Sequence, residues 1–331
     1  MGAMPSDFPG IDTPAERPPR SEYTYVPPVP ALHRRRDPLW RYVVLFLLTL
    51  LTTTAAGTAH YRSFYMGFGA TPVPFTWIEL FVRGLWYSVP ILAILGTHEM
   101  GHYYACRYYG VEASRPYFLP MPIVLTGTLG AFIRIRQPIQ TKRQLFDIGI
   151  AGPIAGFLVA VPVLFAGMYL SRVVELPRDL QGGLWLGEPL LFKAAVWLTF
   201  GSVPDGFTVN MHPVGFAAWF GMLATALNLF PIGQLDGGHI SYAVLGRKST
   251  TVTLVMVGCL IGLTFWSLSW AVWAGLTVLM LFAFGPRHPR TADEDEPLDS
   301  GRMWLAIFAV AMFVLCFTPS PIEPMDLVAR P

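Results

Sequence analysis

Gly96-Thr97-His98-Glu99-Met100-Gly101-His102 stands inside the apolar run from Leu85 to Tyr109. On a helix the step from His98 to His102 is about one turn and about 6 Å of rise, so both imidazoles share a face and can grip one metal ion, with Glu99 pointing beside them. Two imidazoles and a carboxylate in an apolar span are costly unless they pair or bind something. The stretch is therefore read as a membrane helix that carries a functional site, and the rest of the chain as its frame.

Composition agrees. The chain is 53% hydrophobic and 13% charged, where a soluble domain carries about twice that charged share, so it belongs with integral membrane proteins. A formal net charge of +2, with basic residues not gathered on one amphipathic face, sets a nucleic-acid partner aside. Cys106, Cys259 and Cys316 lie in apolar runs without paired spacing and read as small hydrophobes.

Outward from the motif, residues 1–38 are proline-rich with scattered acids and are expected to be disordered. His33-Arg34-Arg35-Arg36 and Arg41 precede a first span, about Tyr42 to Ala59, and place the N-terminus in the cytoplasm. Phe75 to Trp86 reads as an interfacial helix that leads into the active span, Tyr87 to Tyr109. The next loop carries Arg115, Arg134, Arg136, Lys142 and Arg143, again a cytoplasmic signature. Within it, Tyr117 to Val124 and Ala131 to Gln137 flank Gly127-Thr128-Leu129-Gly130, and Ile133-Arg134-Ile135-Arg136 alternates, which predicts a β-hairpin at the membrane surface.

A span follows from Leu145 to Leu170, where Gly152 and Gly156 share a helix face that another backbone can approach. Ser171 to Met211 is read as an outer segment with a short apolar helix, Leu190 to Phe200. A span from Pro213 to Phe230 runs into Pro231-Ile232-Gly233-Gln234-Leu235-Asp236-Gly237-Gly238-His239, whose proline and glycines predict an interrupted helix at membrane depth. Two spans in Thr250 to Phe284, an acidic loop over Arg287 to Arg302 and a span from Met303 to Phe317 complete the expectation. The predicted fold is an all-α polytopic bundle of about seven spans with one small membrane-associated β-hairpin.

Catalytic zinc takes three protein ligands and leaves a position open to water. With His98 and His102 as two, the candidates for a third are Cys106, Asp147, His239 and Asp236. Cys106 lies about 12 Å of rise from His98, beyond shared reach of one ion. Asp147 follows Lys142 and Arg143 and suits a cap or an ion pair. Charge separates the other two, because a dication with two neutral imidazoles, one carboxylate and a deprotonated water sums to zero, whereas three imidazoles leave net charge in low dielectric. Asp236 is the expected ligand, and His239 is left to orient a ligand or to pack. Glu99, with no basic residue in its span before Arg107, is the expected general base.

His98-Glu99-Met100-Gly101-His102, Asp147-Ile148-Gly149-Ile150-Ala151-Gly152-Pro153, and Asn228 through Pro231 to Leu235-Asp236-Gly237-Gly238-His239 together resemble the site-2 protease family of intramembrane zinc metalloproteases. The resemblance covers roughly Tyr87 to Arg247. It implies a multi-pass membrane peptidase that cuts transmembrane segments of other proteins, with single-span membrane proteins as substrates and the lipid bilayer around it, and with His98, His102 and Asp236 on Zn2+, Glu99 as base and Asn228 near the substrate or the oxyanion. The chain is accordingly divided into an additional span (39–70), a metalloprotease core (71–248), C-terminal spans with an acidic cytoplasmic loop (249–318) and a tail (319–331), with the first and last spans outside the resemblance. The loops are too short for a PDZ domain of about 90 residues, so substrate selection is expected to use the membrane core, the segment Ser171 to Met211 or a separate substrate-selecting adaptor. The expected location is the cell (cytoplasmic) membrane. A non-hydrolytic chaperone or adaptor of the same fold is the competing reading, and it gives no task to Glu99.

Overall fold

The structure, a computed structural model, describes residues 37–69, 72–122, 125–177, 183–285 and 288–324. The proline-rich stretch 1–36, the end of the first expected hairpin strand (123–124) and the last residues of the expected tail (325–331) lie outside the described residues. In order, the elements are α1 (Leu39–Met66), α2 (Trp77–Arg83), α3 (Leu85–Tyr108), β1 (Tyr117–Pro120), β2 (Thr128–Phe132), α4 (Lys142–Leu170), β3 (Arg172–Glu175), β4 (Leu184–Leu186), α5 (Leu190–Phe200), β5 (Phe207–Asn210), α6 (Pro213–Leu229), α7 (Asp236–Leu245), α8 (Ser249–Trp266), α9 (Trp270–Phe284), α10 (Ser300–Cys316) and β6 (Ile322–Pro324).

The protein is mostly helical, with apolar helices of an integral membrane protein, but the expected seven spans do not emerge from helix length. Among the described residues, four helical runs are long and apolar enough to cross a bilayer: Leu39–Met66, Trp77–Tyr108, Lys142–Leu170 and Asp236–Trp266. The apolar helices α6, α9 and α10 hold 17, 15 and 17 residues, under the roughly 20 that a bilayer core requires. Local chemistry accounts for the difference. Pro231 ends α6 at the predicted break and Ser267 separates α8 from α9, which leaves these helices short, whereas Gly84 keeps right-handed helical angles and runs α2 almost directly into α3.

Between lipid-facing helices burial from water supplies little, so close packing and internal hydrogen bonds must hold the bundle together. α3 lies along α4, and α4 along α6, around a core that includes Tyr87, Leu164, Met168, Trp219 and Met222. At one end of the bundle, Asp147 of α4 takes a two-pronged pair from Arg302 of α10, at 2.8 Å from Nε and 2.5 Å from Nη2, and also accepts from the Tyr109 hydroxyl. Lys142 there is buried and donates from Nζ to the carbonyls of Glu294 and Glu296, which draws the acidic loop against α4.

The predicted hairpin is present as β1 and β2, paired antiparallel from Tyr117 opposite Phe132 to Pro120 opposite Thr128. Ile133 to Arg136, the alternating stretch, lies beyond β2 and touches residues 112–114 through an Ala113 to Ile135 bridge. The turn reaches into the helices. Three successive carbonyls there each accept from a helix side chain: Leu125 from His60 Nε2–H (2.8 Å), Thr126 from the Tyr87 hydroxyl (2.9 Å) and Gly127 from the Thr52 hydroxyl (2.6 Å). Unmet carbonyls at this depth would cost several kcal/mol, so α1 and α3 make the position tenable. Two further antiparallel pairs, β3 with β5 and β4 with β6, involve the stretch Ser171 to Met211, where the sequence predicts only the helix Leu190–Phe200. β6 falls within the stretch expected to be a tail.

Candidate metal centre

α3 carries His98, Glu99 and His102, all buried at 5, 7 and 7% exposure, so the polar groups sit within the bundle and not on its surface. The helix can hold them there because the facing strip of α4 is glycine. Gly152 lies against the His102 imidazole, where a Cβ would collide, and Gly156 lies against His98, where a Cβ would come within 3.1 Å of the His98 Cβ. Asp236 arrives from the break between α6 and α7. It is the first residue of α7, where the unpaired N–H groups of a helix favour a carboxylate. Gly237 and Gly238 let that first turn fold back on the carbonyls of Leu229 and Gly233, approaches that any side chain would block.

The result is a convergence of three donor atoms. His98 Nε2 and His102 Nε2 are 3.1 Å apart, and Asp236 Oδ2 lies 3.2 Å from the first and 3.3 Å from the second. An ion bound tetrahedrally at about 2.0–2.1 Å has donors separated by about 3.3–3.4 Å, so the triangle fits a zinc-sized ion without rearrangement. The donor set suits it as well. His102 Nδ1–H donates to the Ile148 carbonyl at 2.7 Å, which fixes the tautomer and leaves the Nε2 lone pair free for the metal. Among the described residues, His98, His102 and Asp236 form the one group of three such ligands.

Around the triangle, Glu99 is buried with the main chain of Ile133, just past β2, facing its carboxylate. Asn228, in the last turn of α6, sets its amide nitrogen 3.4 Å from His98 Nε2. His239, a turn beyond Asp236, is not among the converging donors. Its Nδ1 lies 2.8 Å from Nε2 of His288, whose Nδ1–H donates to the Pro289 carbonyl and whose ring stacks on Tyr242. Burial lowers the His288 pKa, which keeps that imidazole neutral and able to accept from His239. Asp147 is likewise remote from the triangle in bonding terms, held by Arg302 and Tyr109. Cys106 is buried with Val111 and Ile148.

Some of these partners have no local signal in sequence: His288 and Arg302 meet His239 and Asp147 across 49 and 155 residues. A subtler signal was available for the glycines. Gly152 and Gly156 are four apart, as are His98 and His102, and antiparallel helices pair them crosswise.

The profile of peptidase family M50 matches residues 86–268, which span α3 to the turn before α9. The chain is 28% identical over 255 residues to "Probable zinc metalloprotease EGY2, chloroplastic" of Oryza sativa subsp. indica, covering 76% of this chain and 46% of that protein. It is 32% identical over 313 residues to "Probable zinc metalloprotease EGY1, chloroplastic" of Oryza sativa subsp. japonica, covering 86% and 51%. With the EGY1 protein of Arabidopsis thaliana the identity is 28% over 305 residues, covering 86% and 54%. The chain thus spans about half the length of these relatives. The matched stretch contains His98, Glu99, His102, Asn228 and Asp236, and on that match the chain belongs to peptidase family M50, the site-2 protease family.

Proposed function

We propose that the protein is an intramembrane zinc metalloprotease that hydrolyses peptide bonds within or near transmembrane segments of membrane proteins, single-span ones first. The observation that carries the reading is the 3.1 to 3.3 Å triangle of His98, His102 and Asp236 beside a buried glutamate. Those three residues would hold Zn2+, which when bound polarises a carbonyl and brings a water's pKa towards neutrality. Glu99 takes the proton of the attacking water and returns it to the leaving amine. Asn228, whose amide nitrogen points to the same spot, donates to the oxygen that gains charge during attack. His102 keeps its orientation through the Ile148 carbonyl.

A substrate helix hides its peptide bonds in its own hydrogen bonds and must unwind locally before cleavage. The edge of β2, at Thr128 to Gly130, lies along a cavity beside α3 and can receive the unwound stretch as an added strand. In the catalytic assay, Leu129→Pro should lower turnover about tenfold with zinc content intact, since each lost main-chain bond is worth about 1 kcal/mol or more; unchanged turnover removes this part of the reading.

The wider arrangement is part of the proposal. Residues 71–248 act as the catalytic core, with 39–70 and 249–318 supporting it, and α6, α9 and α10 complete a seven-span path by local thinning of the bilayer. The basic residues at 33–36 and in the loop 115–143 support a cytoplasmic N-terminus and a cell-membrane location. Substrate selection falls to the membrane core, the outer segment or a separate adaptor. The competing role, a non-hydrolytic chaperone or adaptor, leaves Glu99 buried at cost without a task.

The test is bound zinc and cleavage of single-span substrates by detergent-purified protein. Glu99→Gln should bind zinc and lose about 10²–10⁴-fold in turnover, while Asp236→Ala loses the metal as well. Equal cleavage by wild type and Glu99→Gln overturns the assignment.

A further inference from the structure

A cavity of about 600 Å³ lies between α3, β2, α6 and α9. Its wall includes Leu95, one helical turn before Glu99, and Leu227, the neighbour of Asn228. Thr128 to Gly130 of β2, Trp273 of α9 and Glu323 of β6 also line it. The volume is that of a ligand pocket, which typically holds about 300–1,000 Å³. Most of the described lining residues are aliphatic or aromatic, with the hydroxyls of Thr126, Thr128 and Ser269 among them, and Glu323 is the one carboxylate.

Glu323 is not there by the accident of a loose end. β6 pairs with β4, with Glu323 opposite Trp185, and the approach to it is pinned by two further bonds. The Trp270 indole N–H donates to the Pro319 carbonyl at 2.7 Å, and the Gly187 N–H donates to the Pro321 carbonyl at 3.0 Å. Yet Glu323 Oε1 is buried without a hydrogen-bond partner. Only one other side-chain atom among the described residues shares that condition, the hydroxyl of Thr291. A buried acceptor without a donor is costly, and the half-buried Glu323 side chain, which lines the cavity, has no cationic partner among the described residues. The cost disappears when a visiting group supplies both the donor and the opposite charge.

We propose that Glu323 determines specificity in this cavity by pairing with a lysine or arginine side chain at the end of an apolar polypeptide segment laid along β2. The chemistry matches on both counts. The aliphatic stem of such a side chain rests on apolar walls while its charged head reaches the carboxylate. The identification of that segment as a substrate rests on the protease reading; the binding preference does not.

The experiment measures binding, with cleavage silenced by Glu99→Gln in the full chain. Fluorescent peptides with about 20 apolar residues, each ending in one Lys, Gln or Glu, are titrated against the protein in detergent. With Glu323 in place the Lys peptide should bind about tenfold tighter than the Gln peptide, the effect of one charge-assisted bond. Glu323→Gln should equalise the two, and Glu323→Lys should turn the preference to the Glu peptide. The same Lys to Gln ratio in all three proteins, or no binding of any peptide, overturns the proposal and leaves the cavity to lipid. Cleavage of the same peptides by the protein with Glu99 intact separates the two readings. A charge preference in binding without cleavage refutes the protease alone, and cleavage indifferent to residue 323 refutes the specificity site alone.

Discussion

Glycine has opposite meanings in two helix pairs of this protein. Where α3 meets α4, Gly101 touches the Ala151 carbonyl, Gly152 the His102 ring and Gly156 the base of His98. In α8 and α9, a Cβ added at Gly258, Gly262 or Gly275 would meet nothing within 4 Å. The first pair is closed around polar cargo. The second leans together at Trp270 and Ala274 but turns Leu254, Val255, Phe265, Val272 and Phe282 outward. Small residues alone therefore do not make a tight seam; what matters is whether a facing helix uses the space. In the first pair the space is used by the ligands themselves, so packing and metal binding become one property.

That contrast has a strong consequence for metal removal. Stripping zinc at a concentration about a thousandfold above its Kd withdraws about 4 kcal/mol from the states that hold it, so amides of α3 and α4 around the centre should exchange about 1,000-fold faster. Amides of α8 and α9 should change little. Uniform acceleration across all four helices would erase the distinction between the pairs. A smaller effect comes from Gly152→Ala. The added methyl collides with an imidazole that the Ile148 carbonyl holds in place, costing about 1–3 kcal/mol of overpacking and about 10–100-fold in zinc affinity. Gly156→Ala should cost less, since the His98 Cβ at 3.1 Å needs to give by only a few tenths of an ångström. Zinc titration of the two variants reads the order, and a Gly152→Ala protein with wild-type affinity would show that the seam has slack.

The sequence made both pairs legible as helices, and the function of the first alone, for physical reasons. His98 and His102 recur at helical spacing, and periodicity of that kind survives translation into structure because it is local. The proline and glycines of 231–238 announced the broken helix that brings Asp236 in. Hydropathy, by contrast, marks apolar stretches without measuring helix length, so the count of about seven spans is not confirmed by the four helical runs among the described residues that have the length. The hairpin was visible, but Ile133 to Arg136 alternates for pairing with residues 112–114 and not with β1. Strands β3 to β6 hold three or four residues each, too few to display a period. Arg302 and Glu323 carry no motif at all, since their meaning comes from groups far away in the chain.

The weakest effect tests the second pair. Gly258 and Gly262 lie four apart on α8, the spacing at which two helices in a membrane can approach closely. In this structure their face is open, so each glycine contributes only its backbone freedom. Alanine at either position should then stabilise the helix by about 0.5–1 kcal/mol, raise the thermal midpoint by about 2–4 °C and leave zinc affinity unchanged. The sign is the informative part. A methyl group on an open face can only help, whereas on a face that receives another helix it must be accommodated at a cost of about 1–3 kcal/mol. A fall in the midpoint on Gly258→Ala or Gly262→Ala, measured in the same detergent, would therefore mean that α8 is packed against a helix on this face and that the two pairs differ only in what fills them.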